Sequence, residues 1–394
     1  MTLTAQSSMT RELPRGLVIA TISFLTLVDL FAAQAILPSL ARAYNASPAE
    51  IGVAVNASTF GMAAAGIVVA LLARRIDRRN GIWISLALLS IPTFLLSSMP
   101  NLTVFTALRV TQGIFMSAAF TLTMAYIAEH GSPSSTAGAL AAYVTGNVGS
   151  NLFGRLMSAA IADHFGLSAN FYAFAVLNLA GAALVFFSLN RMQPMCNLPT
   201  PDMAMSSWSQ HLRDPALRAG FAIGFLVLFA FLGTYTYVNF VLAAEPIGLS
   251  PMALGFVYLV FLPSIVTTPL AGRIVRRFGP GATISGSLIL ALAGAAPLLI
   301  ANLAAVIVGL VLIGVGTFLA QAAATGYISV KATHDRASAS GMYLASYYLG
   351  GLTGSALLGA LFNMYGWSAC VAGIAAALVA AAGLALRLTV SKAG

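Results

Sequence analysis

The sequence predicts an all-α membrane protein: twelve transmembrane helices in two six-helix bundles, with both termini cytoplasmic. Composition, the spacing of long apolar runs, and the placement of Lys and Arg between those runs all point to it. Of 394 residues, 59% are hydrophobic and 7% charged, whereas an ordinary globular domain carries about 25% charged residues. Water cannot solvate such a chain, so most of its surface must meet lipid.

A helix that crosses the hydrocarbon core needs about 20 mainly apolar residues. Runs of that kind cover 15–40, 50–73, 81–99, 102–127, 136–162 and 167–190, and after a polar break 217–243, 252–272, 281–300, 303–328, 338–363 and 367–388. They are numbered here as spans 1 to 12. The first ends near Ala33-Gln34-Ala35, like a signal-peptidase site. It is too long for a signal core, carries Asp29 and precedes eleven similar runs, so it reads as a retained span. Pro263 and Pro269 in span 8, with Pro92 and Pro297, are expected to kink their helices. The polar break, rich in Pro, Met and Ser, separates bundles 1–190 and 217–394 and reads as a cytoplasmic linker, 191–216.

Sixteen of the nineteen Lys and Arg residues fall in the terminal tails and in alternate gaps, on the side shared by both termini. Cytoplasmic loops collect such residues, which orients the chain in a cell membrane, expected to be a bacterial inner membrane. Arg42 lies in an opposite gap, while Arg109 and Arg155 sit inside apolar runs. The net charge of +9 is dispersed among loops with no basic stripe, so no nucleic-acid partner is expected.

Cys196 falls in the linker and Cys370 in an apolar run, which argues against a disulfide framework. His130, His164, His211 and His334 all fall in loops, against a metal site within the membrane. No phosphate-binding loop, Ser–His–Asp set or paired carboxylates are legible, so neither ATP-driven transport nor an enzyme is expected. No cofactor is implied, and a monomer is expected.

The halves echo each other. Ser47-Pro48 and Gly52 before span 2 recur as Ser250-Pro251 and Gly255 before span 8. Ala73-Arg74-Arg75-Ile76 recurs as Val275-Arg276-Arg277-Phe278, and the offset is 202 or 203 residues in both cases. Parallel six-helix repeats are an architecture of secondary transporters, with the solute site between the halves.

Leu108-Arg109-Val110-Thr111-Gln112-Gly113 in span 4 resembles the Arg-x-x-Gln-Gly motif of the major facilitator superfamily. Ala70-Leu71-Leu72-Ala73-Arg74-Arg75-Ile76-Asp77-Arg78-Arg79 resembles its span 2–3 signature, with Arg74 in place of the usual acid and Asp77 in place of the usual loop glycine. In the family that acid helps latch the cytoplasmic side, so Arg74, Arg75, Asp77 and Arg78 are gating candidates by resemblance, in altered form. Ala125-Tyr126-Ile127-Ala128-Glu129, Gly146-Asn147 through Gly154-Arg155, and Tyr347-Tyr348-Leu349-Gly350 are similar to the acriflavine-sensitivity branch. That resemblance implies a proton-linked exporter.

An ionisable side chain at the centre of a membrane helix costs about 2.5–3.5 kcal/mol on the translocon-insertion scale. Asp29, Arg109 and Arg155 are of this kind, all in the N-terminal half and at similar depth. The functional reading makes Asp29 the proton-coupling residue. Burial disfavours a charged carboxylate and a nearby guanidinium favours it, so its proton affinity is expected to follow the approach and departure of Arg109. The structural alternative is a neutral Asp–Arg pair that only fixes helix packing, the other Arg snorkelling outward.

Tyr143, Asn147, Asn151 and Arg155 recur every four residues on one face of span 5. They read either as packing hydrogen bonds or as a polar cavity wall in which Arg155 meets an anionic or polar part of the solute. Beside them Ala142, Gly146, Ser150 and Gly154 form a small-residue stripe, echoed by Gly351, Ser355 and Gly359 in span 11. Its main role is helix contact, with Gly146 and Gly154 as gating candidates.

At an offset of 203 the three buried charges fall opposite Leu232, Leu312 and Leu358. The C-terminal half offers neutral groups instead: Tyr235, Tyr237 and Asn239 in span 7, Tyr258 in span 8, Gln321 and Tyr327 in span 10, and Tyr343, Tyr347 and Tyr348 in span 11. Tyr327 and Tyr237 read as interfacial anchors. With Gln112 from span 4, the deeper Tyr235, Asn239, Gln321 and Tyr347 complete the candidate solute wall.

The function expected is a proton-coupled carrier that exports a small organic solute or drug by alternating access. One Asp against two Arg leaves the buried charge positive, which motivates an alternative, an organic or inorganic anion uptake or exchange carrier. A membrane sensor or assembly factor on a transporter fold is a third class.

Overall fold

The computed structural model describes residues 6–72, 76–129, 133–189, 209–332 and 336–390. Among them every regular element is helical. In the N-terminal half these are α1 Gln6–Ala35, α2 Leu37–Tyr44, α3 Pro48–Leu72, α4 Arg78–Leu96, α5 Leu102–Glu129 and α6 Pro133–Ser188. The C-terminal half holds α7 Pro215–Ala243, the broken helix α8 Pro251–Phe278, α9 Pro280–Ala293, α10 Leu303–Lys331 and α11 Arg336–Val390. Nine of the described helices are long and apolar enough to span a membrane. Two of these, at 47 and 51 residues, are far longer than one crossing requires.

Both long helices turn back at a glycine. Gly166 in α6 has φ 87° and Gly366 in α11 has φ 79°, a region open to glycine at little cost. These breaks fall where the sequence separates spans 5 and 6, and spans 11 and 12.

Helix starts follow capping chemistry. Ser47 and Glu50 form a reciprocal box at the head of α3, the Ser47 N–H donating to Glu50 Oε2 at 2.8 Å. Ser250 caps α8, with Pro251 in the first turn. The repeated Ser-Pro pair is therefore the same helix-start device used twice. Asp77 Oδ1 accepts the Asn80 N–H at 2.7 Å and caps α4. In α8, Pro263 restarts the helix after one 3-10 turn and Pro269 lies within a second, which accommodates their missing N–H groups. Pro92 lies inside α4 and Pro297 in a short 3-10 turn.

Glycines bring particular helices together. A Cβ on Gly154 would come within 2.8 Å of Val28, and one on Gly146 would run into the Ala20 carbonyl, so the first arm of α6 packs closely on α1. Gly350, Gly351 and Gly354 bring α11 against α7 in the same way. Tyr237 is fully buried there and donates to the Ser355 carbonyl. It is part of a helix contact and not the interfacial anchor expected from its place near a span end.

The two halves meet at the end of the molecule where α1 and α7 finish and α3 and α8 begin, termed the far face. Asn56 of α3 donates to Thr236 of α7 at 2.9 Å, and Asn239 of α7 donates to the Gln34 carbonyl of α1 at 3.2 Å. Gly255 of α8 lies against Ala159 and Leu156 of α6.

Candidate functional site

Asp29 points into the interior of the N-terminal bundle, between α1, α4, α5 and the second arm of α6, and is 3% exposed. Its Oδ1 lies 3.4 Å from the donor Gln112 Nε2 and 3.3 Å from Thr93 Oγ1, which also donates to the Leu89 carbonyl at 2.8 Å. The Asn178 side chain interacts with the carboxylate too, and Oδ2 has no hydrogen bond of ordinary geometry. Thr93 Oγ1 also accepts from Gln112 Nε2 at 2.6 Å and from Asn178 Nδ2 at 3.2 Å.

Arg109 lies beside this group without pairing with the carboxylate. Its Nε donates to the Val55 carbonyl at 2.8 Å, Nη1 to Gln112 Oε1 at 2.7 Å and to the Asp29 backbone carbonyl at 3.1 Å, and Nη2 to Ser58 Oγ at 3.1 Å. Gln112 thus stands between acid and base, accepting from the guanidinium and donating to the carboxylate. Gly113 makes the reach possible, because a Cβ there would lie 2.8 Å from the Ser58 carbonyl carbon and 3.0 Å from the Met62 nitrogen. The motif Arg-x-x-Gln-Gly supplies the clamp, the bridge and the space for both.

Arg155 occupies a different site, although it shares α1 with the first. Its guanidinium carbon lies 4.1 Å from the Tyr258 ring centroid, 5.2 Å from Phe261, 5.4 Å from Phe31 and 5.7 Å from Tyr235. Each such contact is worth about 0.5–2 kcal/mol, most when desolvated. Nη2 donates to Gln34 Oε1, while Nε and Nη1 are buried with no hydrogen bond of ordinary geometry. Gln34 Nε2 continues to Asn56 Oδ1 at 2.8 Å, and Tyr258 donates to Asn239 Oδ1 at 2.8 Å. Tyr235 donates to the Leu310 carbonyl. Snorkelling does not describe Arg155, which is 0% exposed.

Between the halves lies a cavity of about 50 Å³. Asn147, Asn151, Thr59 and Phe31 line it from the N-terminal half, and Phe231, Phe318, Gln321, Tyr347 and Tyr348 from the C-terminal half, among others. Among the described residues that line it, none is charged. Of the sequence-predicted solute wall, Asn147, Asn151, Gln321 and Tyr347 face this cavity. Gln112 belongs to the Asp29 cluster, and Arg155, Tyr235 and Asn239 to the far-face cage. Tyr143 is buried edge-on against Phe120 at 5.4 Å between ring centroids. Pockets for drug-sized ligands run to roughly 300–1,000 Å³, so a solute of that size needs the halves to part.

Of the gating candidates, Arg74 and Arg75 lie outside the described residues. Asp77 caps α4, and Arg78 is buried and donates to the Ile76 carbonyl at 3.1 Å. Arg79 donates to the Phe186 carbonyl and sits 4.5 Å over its ring, which ties α4 to the end of α6. Gly146 and Gly154 lie in the α1–α6 contact. Among the described residues no His, Cys, Asp and Glu cluster could hold a metal ion.

Sequence reasoning missed Ser58, Thr93 and Asn178 in the Asp29 cluster, and Gln34, Asn56 and Thr236 in the far-face chain. The amides carry a usable signal, since an Asn or Gln inside an apolar run needs a partner. Ser and Thr carry little, because they can satisfy themselves on their own helix.

The family model described as Major Facilitator Superfamily matches residues 19–330 and 235–393. The inner membrane transport protein YnfM of Escherichia coli (strain K12) is 28% identical over 92% of this chain and 87% of its own length. The uncharacterized MFS-type transporter YybF of Bacillus subtilis (strain 168) is 25% identical over 87% and 85%. A bacterial homologue of the human lysosomal transporter Spinster, crystallised inward-facing and occupied, superposes with a TM-score of 0.73 at 16% identity over 95% of this chain and 96% of its own. A mutant of the nucleoside transporter NupG gives 0.70 at 12% identity over 95% and 97%.

Proposed function

The chain belongs to the major facilitator superfamily, a transporter and not an enzyme, and from that premise we propose that it is a proton-coupled exporter of a small organic solute working by alternating access. On this reading its segments form twelve spans in bundles 1–190 and 217–394, joined by the linker 191–216. Both termini are cytoplasmic, and the monomer works in a bacterial inner membrane. The placement of Lys and Arg supports the orientation, and the name of the relative YnfM supports the membrane. The motifs of spans 4, 5 and 11 favour the acriflavine-sensitivity branch.

One observation carries the proton: Asp29 is buried in the bundle with no hydrogen bond of ordinary geometry to Oδ2, and Gln112 bridges Oδ1 to Arg109. A free carboxylate oxygen can receive a proton, and Gln112 can pass the resulting change in hydrogen bonding to Arg109 and so to α3. The neutral lining of the central cavity favours a neutral or amphipathic solute held by amides and aromatic rings.

The test begins with a thermal-shift screen of cations, neutral compounds and anions against the purified protein. A stabilising compound is then added to proteoliposomes carrying an internal pH reporter. Solute movement should move protons in the opposite direction, and solute movement with no pH change defeats the proposal. The two bare donors of Arg155 favour a second reading, an anion carrier. Stabilisation by anions alone, lost in Arg155→Ala, selects it.

A further inference from the structure

We propose that Arg155 is the latch of the far-face seam, a cation from the N-terminal half that docks into an aromatic cage of the C-terminal half. It acts as a positioning residue for transport and not as a solute ligand. The inference rests on reading the chain as an alternating-access transporter, in which this seam must part.

The components lie on opposite sides of the seam. Arg155 is on α6, and its Gln34 partner and the Phe31 ring are on α1. Tyr258 and Phe261 are on α8, with centroids 4.1 and 5.2 Å from the guanidinium carbon, and Tyr235 is on α7 at 5.7 Å. Opening the far face moves α1, α3 and α6 away from α7 and α8, so three of the four rings leave the cation at once. Two hydrogen bonds in the same layer cross the seam and break with it, Asn56 to Thr236 and Asn239 to the Gln34 carbonyl.

The chemistry suits a contact that must be made and broken each cycle. Aromatic faces attract a desolvated cation without neutralising it. Gln34 Oε1 accepts from the guanidinium, the Tyr258 hydroxyl also interacts with it, and Nε and Nη1 have no hydrogen bond of ordinary geometry. In the closed seam the rings favour docking. In the open seam water reaches both bare donors and favours release. A carboxylate in the cage would weight the balance toward closure, because breaking a buried ion pair strands a charge. The cage also touches the solute cavity, since Phe31 lines both.

The test reads the seam directly. Leu156 lies in the seam against Gly255 and is half-buried. In a Cys196→Ser, Cys370→Ala background, Leu156→Cys becomes a reporter for a small charged methanethiosulfonate reagent. Labelling should be slow with Arg155 present and about tenfold faster in Arg155→Gln, the ratio that one desolvated cation–π contact supports. Arg155→Lys keeps the cation and should restore most of the protection. Tyr258→Leu should label as fast as Arg155→Gln, while Tyr258→Phe, which keeps the ring, should not.

Unchanged labelling in both Arg155→Gln and Tyr258→Leu overturns the latch. Equal acceleration by Arg155→Lys and Arg155→Gln overturns the cation–π basis and with it the proposal. Melting and size-exclusion profiles control for folding; if Arg155→Gln does not fold, the two Tyr258 variants carry the test. Labelling needs no transport, so failure of proton-driven export leaves this result standing, and failure of the latch leaves export untouched.

Discussion

Gly113→Ala makes the sharpest demand on the packing that positions Arg109. The added methyl would stand 2.8 Å from the Ser58 carbonyl carbon and 3.0 Å from the Met62 nitrogen, both backbone atoms that cannot rotate aside. The Ser58 carbonyl oxygen lies nearer still, in hard overlap with the methyl, so restoring an ordinary contact of about 3.4 Å requires α3 and α5 to separate by more than about 1 Å. That retreat takes Arg109 Nη2 and Ser58 Oγ, now 3.1 Å apart, well beyond hydrogen-bond range, and stretches the 2.8 Å bond to the Val55 carbonyl. Overpacking costs about 1–3 kcal/mol and one hydrogen bond to a charged group about 1.5–3 kcal/mol, so the combined loss is about 2.5–6 kcal/mol.

At about 2 °C per kcal/mol for a large domain, the thermal midpoint in detergent should fall by roughly 5–12 °C. Gly383→Ala is the control, because a Cβ there meets nothing within 4 Å. Replacing a helical glycine at an open site is neutral or stabilising by about 0.5–1 kcal/mol. If Gly113→Ala melts with the wild type, close α3–α5 packing is not what holds Arg109 in place.

Two further outcomes follow from the geometry. Asp77→Ala removes the acceptor of the Asn80 N–H at the start of α4 and should cost about 0.5–2 kcal/mol. A chemical-denaturation or melting curve checks it, and Asp77→Asn should recover most of the loss. Gln321→Leu changes the cavity wall away from both charged clusters, so it should alter which compounds stabilise the protein in a thermal-shift screen. The midpoint without ligand should move by less than about 1 kcal/mol equivalent; an unchanged compound profile separates Gln321 from the solute.

Much of the fold is legible in the sequence because its signals are local. The ends of spans 5 and 11 fall beside Gly166 and Gly366, whose positive φ ends each arm, and the repeated Ser-Pro pairs mark two helix starts. The small residues of spans 5 and 11 mark the sides packed on α1 and α7. The charged sites are half legible. Asp29, Arg109 and Gln112 stand out as polar residues in apolar helices, and two of them lie one turn apart on α5. Thr93 and Asn178 complete the cluster from α4 and the second arm of α6, and no spacing rule links them to Asp29.

Arg155 shows the limit most clearly. Its period-four face joins it to Asn147 and Asn151, which do line the cavity, yet one more turn carries it into the far-face seam. The rings that surround it come from α7 and α8, so its environment depends on how the two halves meet. Placing it on a positive cavity wall therefore overestimates the charge that a solute in the central cavity meets.

The central claim is that Asp29 carries the coupling proton, and Asp29→Asn tests it most directly. Asparagine keeps the shape and the Oδ1 acceptor for Gln112 and Thr93, while Oδ2, which has no hydrogen bond of ordinary geometry, becomes an amide nitrogen. Such a change should cost no more than about 1–3 kcal/mol of stability. In proteoliposomes loaded with a solute found by the thermal-shift screen, an imposed pH gradient should drive uphill movement by the wild type and none by Asp29→Asn. Exchange of labelled for unlabelled solute, with no gradient, should persist in both. Uphill transport by the Asn variant would contradict the claim.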